Sequence, residues 1–295
     1  MKLNALLFIL LLTTVSTVDI HAQSSEFKTQ RAQMAMFNIG FNGLIGGVGS
    51  LINSKKDKTN FRTFVKGFYK GAIGGGISHV GLSLTHQIER QQNIALAWPA
   101  RIVNAFGSSI IQNAAENRRM LERLHFNLFI SRFDYLPYEK KFSVRLFTSS
   151  IYGLIVVGRG ARFDLGKTLQ SGIFYFESDK GFSTSLGSGI ATGQVSSIGM
   201  DKGLQGERFY TVFAEEVAHI VQYDRKVGGN AFFATADNRW KASSSSYQDL
   251  SKFIYFDLNG PLFWLGYRLE GTTHNCNFFE QEAINYSNRR EYLCK

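Results

Sequence analysis

The stretch FAEEVAHIVQY, Phe213 to Tyr223, places two adjacent glutamates four and three residues ahead of a histidine. Taken with the residues just before it, Phe209, Val212, Phe213, Glu216 and Ile220 recur at i, i+3, i+4, i+7 and i+11. That is the stripe of an amphipathic helix facing a core. Glu216 falls on the stripe, where an acid needs a partner or a task. Glu215, His219 and Gln222 follow one another at i, i+4 and i+7 on a neighbouring face. Successive helical residues point about 100° apart, so Glu215 and Glu216 cannot play the same role. Gly228-Gly229-Asn230 is the expected stop.

The pattern changes on either side of this helix. Downstream, NRWKASSSSYQD reads as a polar loop, FIYFDLNGPLFWLGYRL as an aromatic segment broken at Asn259-Gly260-Pro261, and FFEQEAINYSNRREY as a last helix. Upstream, from His125 to Met200, HFNLFISRFDYL and KFSVRLF alternate apolar and polar residues, the period of strands with one buried face. IYGLIVVG and SGIFYFES read as further short strands, and FSTSLGSGIATGQVSSIG as a loop or edge hairpin. Antiparallel pairing is the expectation for such closely spaced runs.

From Ala35 to Asn117 the chain is rich in glycine. Gly40, Gly43 and Gly47 share one helical face, as do Gly67, Gly71 and Gly74 or Gly75. Glycine costs about 1 kcal/mol inside a helix relative to alanine. Its repetition at this spacing predicts two helices in close backbone contact, joined by the polar turn Asn53 to Asn60. IALAWPARIVNAFGSSIIQNAAEN predicts a third helix with Pro99 near its start. Lys66, Lys70, His79 and His86 interrupt the second segment, so packing within a folded domain is preferred to membrane insertion, and neither glycine-rich segment is expected to offer an apolar run that crosses comfortably.

Composition agrees with a packed domain: 44% of residues are hydrophobic and 14% aromatic. The leader Met1-Lys2, the apolar run Leu6 to Leu12 and the small Ala22 before Gln23 predict a secretory signal over residues 1–22. Export to the periplasm, outer membrane or exterior follows. A glycine-rich helical region over 23–120 and an α+β region over 121–295 are expected to pack as one domain. The residues behind the formal charge of +10 are scattered, with the densest run at Lys55-Lys56-Asp57-Lys58, and Arg118-Arg119 and Arg289-Arg290 are only short pairs where nucleic-acid binding wants a basic stripe with interleaved aromatics. Nucleic acid is therefore not an expected partner. Cys276 and Cys294 suit one disulfide in an oxidising compartment.

Phe213 to Tyr223 resembles the active-site helix of gluzincin-type metallopeptidases, particularly secreted bacterial forms with an H-E-x-x-H-x-x-Q pattern. The layout of leader, glycine-rich helices, strands and this helix also resembles exported proteins of Bacteroidetes type. The resemblance implies a zinc ion held by His219 and by a carboxylate from a later helix, with Glu216 as general base and a peptide or protein as substrate. Glu280-Gln281-Glu282-Ala283 offers that carboxylate, as Glu280 by one version of the motif and as Glu282 by another. A zincin-like arrangement of the C-terminal helices is the corresponding expectation for the fold, within an α+β class.

The departure from the pattern is Glu215, which stands where the first histidine belongs. Two carboxylates with one imidazole make a harder, more oxygen-rich set than the peptidase norm. Three outcomes follow: a metal-free pseudoenzyme, which is the preferred one, an altered metal site with Glu215 completing the shell, or an ordinary helix. A non-catalytic envelope protein, touching a membrane surface through the glycine-rich region, is the alternative. A second constellation pairs Glu216-x-x-His219 with Glu122-x-x-His125, the motif of di-iron bundles, but the strands between them oppose a four-helix bundle.

Overall fold

Glycine sets how closely the first helices lie. The structure, a computed structural model, describes residues 27–54, 60–184, 187–225, 228–269 and 276–287. Helices α1 (Phe27–Ile52) and α2 (Phe61–Leu84) form a hairpin, and α2 begins at the cap Asn60, whose side chain accepts from the Thr63 amide at 3.0 Å. A short α3 (His86–Arg90) and one 3-10 turn (Ile94–Leu96) lead into α4 (Ala97–Ala115). Pro99 sits in the first turn of α4, where its missing N–H costs nothing.

A Cβ on Gly46 would collide with the carbonyl oxygen of Gly67, and one on Gly67 with that of Gly46. Gly71 faces the Asn42 carbonyl, and a Cβ on Gly75 would lie 2.8 Å from that of Asn38. On its other side α2 presents Gly74 and Gly81 to α4, where added Cβ atoms would lie 2.7 Å from Gly107 O and 2.6 Å from Asn104 N. The middle helix thus carries glycine towards both neighbours. The expectation for α1 needs correction: Gly46 makes the backbone contact, Gly43 and Gly47 receive the rings of Phe68 and Phe64, and nothing approaches Gly40.

Two four-stranded sheets and one two-stranded sheet follow, and the α+β class holds. Strands β1 (Leu124–Leu128), β2 (Ser131–Leu136) and β3 (Lys141–Phe147) make an antiparallel meander. In the second sheet β4 (Arg162–Phe163), β5 (Phe174–Ser178), β9 (Ser197–Asp201) and β8 (Ala191–Gln194) lie side by side in that order. Between them in sequence, β6 (Phe182–Thr184) pairs with β7 (Gly187–Gly189). Pairing is not antiparallel throughout. β5 and β9 run parallel, as do β3 and β10 (Ile254–Tyr255). Long connections separate both pairs, which is what parallel neighbours require.

Two local readings are overturned. IYGLIVVG lies in a helix, α5 (Thr148–Gly158), whose buried residues Ser149, Ser150, Gly153 and Val157 keep a helical spacing while Tyr152 and Ile155 face solvent. After α6 (Leu165–Ser171), α7 (Gly206–Arg225) and α8 (Gly228–Phe232), the expected polar loop is two helices, α9 (Ala234–Ser243) and α10 (Ser245–Phe253). Ser244 caps α10 through the Tyr247 amide at 3.2 Å, and Tyr247 returns its hydroxyl to Asp237 at 2.8 Å. The chain closes with α11 (Asn259–Leu269) and α12 (Phe278–Tyr286).

Helix α7 is the element around which the rest is arranged. Val212, Phe213, Val217, Ile220 and Val221 share one core with Leu82, Ile88 and Ile94 of the helical layer, Tyr175, Ile198 and Met200 of the second sheet, and Ala283 and Tyr286 of α12. Arg101, fully buried, donates to Gly172 O at 2.5 Å and Asn127 O at 2.6 Å and lies 3.9 Å from Asp224. It thereby ties α4 to the strands and to the end of α7.

Arg31–Ile52 and Ile94–Ala115, each 22 residues, are apolar enough to cross a membrane by length and composition, contrary to the expectation for the first glycine-rich segment. Half of the first window and 61% of the second is buried within the protein. The expected leader, the Lys55–Lys58 run and Cys294 lie outside the described residues. Cys276 is disulfide-bonded.

Candidate metal centre

Spacing on α7 and the docking of α12 create the site together. Glu215 and His219, one turn apart, project from the same face of α7. Helix α12 is started by Asn277, whose side chain accepts from the Phe279 amide at 3.0 Å, and is anchored by Phe279, Ala283 and Tyr286 in the core. Its first turn then delivers Glu280. Glu215, His219 and Glu280 each offer one ligand atom, and these atoms lie within 4.8 Å of one another. His219 Nε2 is 3.3 Å from Glu280 Oε2. Two ligands of a tetrahedral zinc at about 2.1 Å are roughly 3.4 Å apart, so this pair already has the spacing of a shared ion. Glu215 stands within 4.8 Å of both as the third member of the group.

The surroundings fix how these groups point. Tyr267 OH donates to Glu280 Oε1 at 3.0 Å, leaving Oε2 towards His219. On the other edge of the imidazole, Nδ1 lies 3.1 Å from Gln222 Oε1. An imidazole held at Nδ1 by an acceptor presents Nε2 to the centre, the arrangement metal-ligating histidines use. Gln222, fully buried, spends its amide nitrogen on Phe279 O at 2.9 Å and Glu282 Oε2 at 2.8 Å.

Burial acts to lower the His219 pKa, but Glu280, Glu216 and Glu215 together outweigh it, Glu280 most of the three, and the imidazole is pushed up to about 10. Tyr223 next to the site is raised, by burial first and then by Glu280. The centre is therefore a strongly cation-seeking spot: without a metal, a proton on His219 fills that role.

The structure does not bring Glu282 to this cluster. Its Oε1 accepts from Asn38 at 2.6 Å, and its Oε2 accepts from Arg225 at 2.6 Å and from Gln222. Glu282 is wholly buried and Arg225 nearly so, so as an expected ligand it is corrected to an ion-pair partner: two residues beyond Glu280, it points to the far side of α12. Glu216 is buried and lies against β8, where a Cβ on Gly193 would meet Glu216 O at 2.6 Å and Glu216 Oε2 at 2.9 Å.

The rival carboxylate–histidine constellation is dispersed. His125 is buried between the hydroxyls of Ser108 and Ser109, each 3.1 Å from a ring nitrogen. Glu122 accepts from Arg118 at 3.3 Å, and Glu116 from Arg118 at 2.7 Å. Among the described residues, Glu215, His219 and Glu280 form the group with metal-ligand proximity. Tyr267, Gly193 and Arg225 were not singled out from the sequence. Arg225 had a legible signal, a basic residue three beyond Gln222 on the same helix. Tyr267 and Gly193 had none, because their relevance depends on tertiary approach.

Compared with known proteins, the chain matches no family, no curated protein and no solved structure.

Proposed function

We propose that the protein binds a divalent metal ion through Glu215, His219 and Glu280, and that this is a zincin-like hydrolytic centre with one histidine replaced by Glu215. The observation that carries the reading is the convergence of those three side chains from α7 and α12 within 4.8 Å. A bound zinc would supply Lewis acidity and a water of lowered pKa. His219 and Glu280 would hold it, with Gln222 and Tyr267 orienting them. Glu216, one position from Glu215 and under the strand β8, would take the proton of the attacking water. The substrate class is a peptide bond. Glu215 adds negative charge to the set, which weakens that Lewis acidity, so hydrolysis is expected to be slow beside a two-histidine centre.

A metal-free centre is the second reading. It is favoured by the direct His219–Glu280 contact at 3.3 Å and the rise of His219 to about 10, since a protonated His219 already balances the acids. Elemental analysis after purification without chelator, followed by zinc and manganese titration, separates the two. One equivalent of metal, lost in His219→Ala and in Glu280→Gln, supports the first reading; a wild type that takes up neither ion at millimolar concentration establishes the second. If metal binds, loss of peptide cleavage in Glu216→Gln with metal content unchanged assigns the base.

A further inference from the structure

The glycines of the N-terminal hairpin are spent on internal contacts, which leaves the opposite face of α2 to account for. Phe61, Val65, Tyr69 and Val80 are exposed along it, Phe61 by 79% and Tyr69 by 66%. They stand four residues apart over the first two turns, and Gly76 continues the line towards Val80. Ile39 of α1 lies beside that line, 3.8 Å from where a Gly76 Cβ would sit, and is itself exposed, as is Met36 one turn away. Arg62 and Lys66 alternate with the apolar residues and are also exposed.

Charge identifies the occupant. Residues 27–84 contain eight Lys and Arg against the single acid Asp57, a net of seven out of the chain's formal +10. An apolar strip with interleaved basic residues on one helix face matches an anionic lipid surface, aromatics at the headgroup boundary and cations at the phosphates. A symmetric second copy would set Arg62 and Lys66 against themselves, which disfavours that occupant. Spanning is disfavoured too: the other side of α1 and α2 is engaged with the protein through Asn38, Asn42 and Ser78, all buried.

We propose that the α1–α2 hairpin docks this protein flat on an anionic membrane surface through Phe61, Val65 and Tyr69, with Arg62 and Lys66 on the headgroups. The proposal is independent of the metal centre. The test is co-sedimentation of the full chain with phosphatidylcholine vesicles containing or lacking 30% phosphatidylglycerol. The leader is common to all variants, so the comparison is between variants. Partitioning should be stronger on the anionic vesicles and weaken as salt is raised. Each basic residue at such a surface is worth roughly fivefold, so the double variant Arg62→Glu, Lys66→Glu should lose at least about 25-fold. Val65→Glu, Tyr69→Glu should lose binding as strongly while keeping the wild-type melting temperature, because both sites are exposed. Partitioning unchanged in both variants overturns the proposal. So does absence of vesicle binding together with concentration-dependent self-association that Val65→Glu, Tyr69→Glu abolishes, which would make the face a contact between copies.

Discussion

Glu280 and Glu282, two residues apart on α12, serve opposite sides of that helix: one carboxylate meets His219 at 3.3 Å, the other meets Arg225 at 2.6 Å. Gln222 touches both arrangements, with its oxygen on His219 and its nitrogen on Glu282. The site and its support are thus chemically alike and functionally distinct, and substitution should tell them apart.

Glu282→Gln strips the charge partner from a buried arginine, a loss that typically costs about 3–5 kcal/mol. Glu280→Gln, whose partner can shed its proton, should cost markedly less stability. Thermal melts at neutral pH check the order. A Glu280→Gln protein that melts below Glu282→Gln contradicts the division of labour.

The His219 pKa fixes a pH dependence. In the metal-free protein the folded value, about 10, stands above the ordinary 6.5. The pair's stabilisation is accordingly complete below about pH 6.5 and disappears as pH rises through 10. The gap in melting temperature between wild type and Glu280→Gln should be widest near pH 6 and nearly closed at pH 10.5. Any metal must displace that same proton, so its affinity should climb by about tenfold per pH unit across the neutral range. Titrations at pH 6.5, 7.5 and 8.5 read this directly, and a flat profile would count against His219 as a ligand.

Glu215→His creates a two-histidine set at i, i+4 spacing on α7. Zinc affinity should rise by at least tenfold over wild type, because imidazole suits zinc better than a second carboxylate does in a set already rich in oxygen. Competition against a chromophoric chelator measures it. Equal affinities would mean that residue 215 is not in the shell.

The hairpin offers a paired test of packing. Gly71→Ala drives a methyl into the Asn42 carbonyl and should destabilise by about 2 kcal/mol or more. Gly40→Ala, with nothing within 4 Å, should instead stabilise by up to about 1 kcal/mol through helix propensity. Chemical denaturation of the two variants should move in opposite directions.

Much of the frame was legible because certain residues record their neighbours. Glycines at helical spacing on α2 announced its close approach to α1, and the stripe through Val212, Phe213, Glu216 and Ile220 announced the buried helix α7. Motif order pointed to a carboxylate from the last helix near His219, as Glu280 or Glu282, and Glu280 is the one that lies there. What escaped was set by tertiary partners. The choice between Glu280 and Glu282 depends on how α12 is rotated, which its core residues Phe279, Ala283 and Tyr286 and the partners of Glu282 set together. IYGLIVVG looked like a strand because its apolar residues are continuous; three of the four buried residues of the helix, Ser149, Ser150 and Gly153, are small and only Val157 is apolar, so the buried side carries no hydrophobic period. The serine run became helical through Ser244 capping and Tyr247 reaching Asp237, neither visible as a pattern. Gly46, rather than its neighbours, makes the closest approach, a matter of a few tens of degrees of helix rotation.

The hydrogen bond from Asn38 to Glu282 joins residues 244 positions apart. During synthesis α1 must wait for 244 further residues before this link can form. The same late helix brings Glu280. A chain made only as far as α7 has Glu215, Glu216 and His219 in hand but no opposite wall, so whatever the centre finally holds can be captured only after α12 has been made.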